Sequence, residues 1–171
     1  DVMEQAVEQG VDFNGMEPGE ITTIKAMART AGVGSQQVTI EKGPIYRYAD
    51  YGLGTYLTEP YYISYGSVRA TAYCIQPAKP GLESGTYTIT KLADNQALAK
   101  VCYYGTDAAG AESYFANKHS DFSAGKRFIL VHMAAAYAYG SSDAFYGTNA
   151  TGQELAMDIY NYCVKKPEIP D

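Results

Sequence analysis

Ser67-Val-Arg-Ala-Thr-Ala-Tyr-Cys-Ile75 is the stretch whose reading decides the fold. Successive strand residues point to opposite sides. Val68, Ala70, Ala72 and Cys74 therefore share one face, while Arg69, Thr71 and Tyr73 share the other. The pattern predicts a half-buried strand with Cys74 turned inward on its small, apolar face. Pro77 and then Pro80-Gly81 end the strand, since proline has no N–H for a ladder.

The stretches before it are also extended. Gln37-Val-Thr-Ile-Glu41 alternates, and Pro44-Ile-Tyr-Arg-Tyr48, Gly54-Thr-Tyr-Leu-Thr58 and Pro60-Tyr-Tyr-Ile-Ser-Tyr65 read as short strands. Thr86 to Thr90 is one more. Beyond it the period changes to that of helices. Asp94 is placed to cap a helix ending at Tyr104, with Gly105 as its stop. Ala108 to Lys118 is a weaker helix. Ser123 is placed to cap Ala124 to Tyr139, closed by Gly140. Phe128 to Ala136 is apolar all round, which predicts a central, buried helix. Thr151-Gly-Gln-Glu154 reads as a capping box for a last helix ended by Pro167.

Strands followed by helices predict an α+β fold, an antiparallel sheet or partial barrel or sandwich carrying a helical lobe. Residues 1–35 form an unassigned N-terminal segment, with a helix from Ile21 to Arg29 or a loose tail as open alternatives; residues 36–171 form the domain. The alanines at 134, 135 and 136 should let the long helix approach the strand ending in Cys74. Cys74 and His132 are then expected to be spatial neighbours.

Composition narrows the function. The 171 residues carry a net charge of -6 and no basic cluster, which argues against a nucleic-acid partner. No apolar run approaches the roughly 20 residues that cross a bilayer, so no membrane insertion is expected. The three cysteines, Cys74, Cys102 and Cys163, do not make a disulfide framework, and no Cys/His spacing suits a metal. No cofactor is expected. Cys102 and Cys163 lie on apolar helical stripes and read as core. His119 sits in a polar loop and reads as surface. The chain holds 17 tyrosines and no tryptophan. Tyrosine offers wide contact area with a polar tip, though it is equally a good strand former.

Three segments carry a resemblance to a known family. They are Ala72-Tyr-Cys-Ile-Gln-Pro77, Leu98-Ala-Lys-Val-Cys-Tyr-Tyr-Gly105 and Val131-His-Met-Ala-Ala-Ala-Tyr137. Together they resemble the thioester domains of Gram-positive surface adhesins and pilus tips. In that family an aromatic-Cys-aliphatic motif, matched by Tyr73-Cys74-Ile75, faces a Thr-Gln-x-Ala helix. Cysteine sulfur and glutamine carbonyl form an internal thioester that captures a host amine. Here the glutamine position reads His132, and Val131 and Ala136 replace the family's threonine and tryptophan. An imidazole has no acyl carbon, so this pair cannot form a thioester.

Three functional readings follow. The first is an extracellular domain of a bacterial surface adhesin, an excised piece of a wall-anchored protein, without a Cys74–His132 thioester. It would bind a host or microbial surface protein, or an amine-bearing ligand, with Tyr73, Gln76 and Tyr139 as candidate binding residues. In the second, another glutamine supplies the acyl group: Gln76, Gln96 or Gln153. In the third, Cys74 and His132 are the catalytic pair of an acyl-transfer enzyme, since a nearby imidazole makes thiolate available. Asp143 or Asn149 would then orient the ring. The balance leans away from an enzyme.

Overall fold

The computed structural model describes residues 21–22, 36–78, 81–89 and 95–169. Among the described residues, seven strands come first: β1 (Ile21–Thr22), β2 (Gln36–Lys42), β3 (Tyr46–Arg47), β4 (Leu57–Thr58), β5 (Tyr61–Tyr65), β6 (Val68–Cys74) and β7 (Gly85–Ile89). Helices α1 (Gln96–Tyr104), α2 (Tyr114–Asn117), α3 (Ala124–Tyr139) and α4 (Ala150–Val164) follow. The fold is α+β. Five strands make one antiparallel sheet in the order β1-β6-β5-β2-β7, and β3 and β4 pair separately.

The register explains which face is buried. Ile40 stands opposite Ile63, Ile63 opposite Ala70, and Tyr61 opposite Ala72. Val38, Ile40, Tyr61, Ile63 and Ala72 are all buried, and Cys74 extends their face at 8% exposure. Arg69 and Thr71 on the other face are exposed, as the alternation predicts. Tyr73 departs from that pattern. Helix α3 lies over this end of the strand, and the Phe128 ring stacks on Tyr73 with centroids 4.8 Å apart and planes 13° apart. A polar-face position thereby becomes part of the core.

Helix α3 is the centre of the helical layer. Every residue from Ile129 to Ala136 is buried. The Ser123 hydroxyl caps its start by accepting from the Lys126 N–H, and Gly140 closes it at φ 96, a left-handed conformation that suits glycine. Ala136 packs with Ile75 and Ala144, so the alanine-rich segment does meet the chain leaving β6.

Several local expectations change. Asn95 caps α1 by accepting from the Leu98 N–H; Asp94 lies outside the described residues. Asn149, not Thr151, caps α4, because only Asn149 precedes the first helical turn with its oxygen aimed at the Gly152 N–H. The Ala108–Lys118 helix is instead a 3-10 segment, Asp107–Glu112, kinked at Gly110 and followed by the short α2. Gly54–Thr58 contributes strand only at Leu57–Thr58. Ile21–Thr22 is a strand paired with Tyr73 and Cys74, which removes a helix start at Ile21. The rest of the Ile21–Arg29 expectation lies outside the described residues.

Asn149 also donates from Nδ2 to the Gly52 carbonyl at 2.9 Å, tying α4 to the loop after β3. Asn149→Ala should therefore cost about 1–2 kcal/mol in a urea titration. Thr151→Ala should stay within about 0.5 kcal/mol, since Thr151 is an exposed first-turn residue.

Candidate functional site

Three elements converge on one buried point. Strand β6 delivers Cys74 and α3 delivers His132. A 3-10 turn, Tyr48–Tyr51, delivers Tyr48. The turn is held between an extended Arg47 and a left-handed Gly52 at φ 68. Its start is pinned by the Tyr48 N–H donating to the Tyr56 carbonyl at 2.8 Å.

His132 is fully buried, at 0% exposure. Its Nε2 shares a 3.1 Å hydrogen bond with the Tyr48 hydroxyl. Burial pushes the imidazole pKa down to about 4, opposed by the Cys74 main-chain carbonyl, which favours a protonated ring. That carbonyl is an electrostatic neighbour and not a well-aligned acceptor, because Nδ1 has no hydrogen-bond partner. The ring is consequently neutral at physiological pH. The expected proximity of Cys74 and His132 is present, with the contact running through the cysteine backbone.

The thiol has its own surroundings. Cys74 Sγ donates to the Gln76 main-chain carbonyl at 3.4 Å. Three tyrosines stand within electrostatic reach of it. Tyr48 and Tyr61 are shifted above the ordinary phenol range by burial first and by Cys74 second. Tyr56 is raised by burial, then by Tyr146, then by Cys74. A negative sulfur would meet phenol oxygens and a carbonyl here, with no cation in the cluster just described.

The chain after α3 straps the end of β6. The Ser141 hydroxyl donates to the Ile75 carbonyl, and Asp143 Oδ2 accepts from the Ala78 N–H at 3.0 Å. Asp143 is thus engaged with the strand end and Asn149 with α4. Neither hydrogen-bonds the imidazole, whose partner is Tyr48.

The other candidates scatter. Gln76 is half-buried, and its Oε1 is buried without a hydrogen-bond partner. Gln96 and Gln153 are exposed helical residues. Tyr139 is half-buried against the core. Tyr73 lines a cavity of about 700 Å³ on the opposite side of β6 from Cys74. Cys102 and Cys163 are core, and burial raises the Cys163 thiol to about 12. His119 is exposed and stacks on Phe122 at 4.5 Å. Among the described residues no group of three His, Cys, Asp or Glu side chains could hold a metal, and no helix is long and apolar enough to cross a membrane.

A family model described as "Thioester domain" matches residues 37–170. No curated protein and no solved structure matches the chain.

The His132 shift has a pH consequence. Its folded pKa lies below its unfolded value, so between about 6.5 and about 4 the unfolded chain binds a proton that the folded chain refuses. The stability this ring supports is complete above that window and declines as pH falls through it, by about 3 kcal/mol in all. His132→Gln should flatten the stability difference between pH 7 and pH 5 in urea titrations, relative to the parent chain.

Proposed function

The chain belongs to the thioester-domain family, and from that premise we propose that it is an adhesin-type binding domain of a bacterial cell surface in which Cys74 remains a thiol. It would act outside the cell as part of a wall-anchored protein and hold its host or microbial ligand noncovalently. One observation carries this reading. The side chain that α3 places beside Cys74 is a neutral imidazole locked to Tyr48, with no acyl carbon to offer. The resemblance to Gram-positive adhesin domains supports the location.

Burial also weighs against a Cys74/His132 acyl-transfer enzyme. Thiolate catalysis needs an imidazole that accepts the thiol proton. A ring whose pKa is pushed to about 4 takes that proton poorly.

A second reading rests on Gln76. Its Oε1 is buried and unpartnered two residues beyond the cysteine, and an unsatisfied buried carbonyl of this kind costs free energy. Attack of Cys74 Sγ on Gln76 Cδ would form the S–C bond and break the C–N bond. The amide nitrogen would leave as ammonia, taking the thiol proton. That would make the domain a covalent adhesin with a non-standard donor.

Intact mass separates the two. A thiol domain has the mass its sequence specifies and gains nothing from methylamine. A mass short by one ammonia that gains one whole methylamine on treatment, with both effects abolished by Gln76→Ala, would replace the first reading by the second.

A further inference from the structure

The cavity of about 700 Å³ lies on the face of β6 opposite the thiol. Its size falls within the range of small-ligand sites. Its sheet wall is built in register. Tyr62 and Thr71 are cross-strand partners, and Tyr73 follows two residues on, so all three project to one side. Tyr46 comes in from β3, and its proton affinity is raised by burial and then by Tyr62. Phe128 from α3 closes the wall by stacking on Tyr73.

Two properties of this wall bear on what it would hold. First, the hydroxyls of Tyr46, Tyr62, Thr71 and Tyr73 make no hydrogen bond to another described residue. A hydroxyl both donates and accepts. Four of them beside aromatic rings match a ligand that is itself polyhydroxylated and has an apolar flank. Second, the charges at the rim are already engaged. Arg127 donates from Nε to the Phe122 carbonyl at 2.8 Å and from Nη2 to the Ser120 carbonyl at 2.6 Å. Its Nη1 faces the Asp107 carboxylate at 3.9 Å. An ionic ligand would have to displace these contacts, while a neutral one would not.

We propose that this cavity is a binding site for a neutral oligosaccharide of two or three sugar units, seated on the Tyr62/Thr71/Tyr73 wall. The site names a ligand class for the noncovalent binding proposed above and rests on that reading for its role. Its occupancy does not depend on the state of Cys74, because β6 separates the two.

Saturation-transfer NMR on the whole domain tests it, with N,N′-diacetylchitobiose, cellobiose and maltose as probes and p-cresol and a lysine-containing peptide as competitors. Transfer to at least one sugar is expected. It should weaken about tenfold in apparent affinity in Tyr62→Ala and in Thr71→Val, a loss of the size one stacking or hydrogen-bonding contact supplies. Tyr62 and Thr71 are both exposed, so folding should survive these changes. Tyr146→Ala, away from the cavity, should bind as the parent does. No transfer to any of the three sugars, transfer indifferent to both variants, or binding of only p-cresol or the peptide would overturn the proposal. An ammonia-deficient mass would overturn the thiol reading instead and leave the sugar result standing.

Discussion

The hydrogen bond between the Tyr48 hydroxyl and His132 Nε2 is the contact on which the rest of this centre depends. Both partners are at 0% exposure. A buried polar side chain without a partner is costly, and a buried charge costs more. The pair meets both conditions by staying neutral and satisfying one ring nitrogen. It joins the turn after β3 to the middle of α3, and α3 in turn covers the end of β6. Removing the phenol oxygen would leave the imidazole with no hydrogen bond among the described residues.

Strand β6 divides the molecule into two chemical territories. On one side the thiol looks toward tyrosines 48, 56 and 61 and the strap that begins at Ser141. On the other side Tyr73, Thr71 and Tyr62 open onto the large cavity. The alternation of a single strand creates this division. A family resemblance that draws the eye to Cys74 therefore leaves the opposite face unread, although a cavity of about 700 Å³ opens there.

Much of this was legible in the residues. The alternation from Ser67 to Ile75 placed Cys74 inward, and the unbroken apolar run from Phe128 to Ala136 placed α3 at the centre. Ser123 and Gly140 marked its ends because capping is local chemistry. The failures have equally physical causes. Thr151 and Glu154 have the spacing of a capping box, but Asn149 lies two residues earlier and engages first. Tyr73 reads as a polar-face residue because nothing local reveals that a helix covers it. Tyr48 was missed as the partner of His132 because the two are 84 residues apart and meet only through the fold. The tyrosine count hinted that phenols do more than pack, without saying which ones.

The imidazole beside Cys74 is neutral and fixed, so it gives the cysteine neither an acyl carbon nor a proton acceptor of useful strength. Long-range proton–nitrogen correlation spectra of His132, recorded from pH 7 down to pH 5.5, test it directly. One neutral tautomer is expected throughout, with its nitrogen shifts essentially unmoved over that range. An imidazolium at pH 7, or a titration midpoint near the ordinary histidine value, would contradict it.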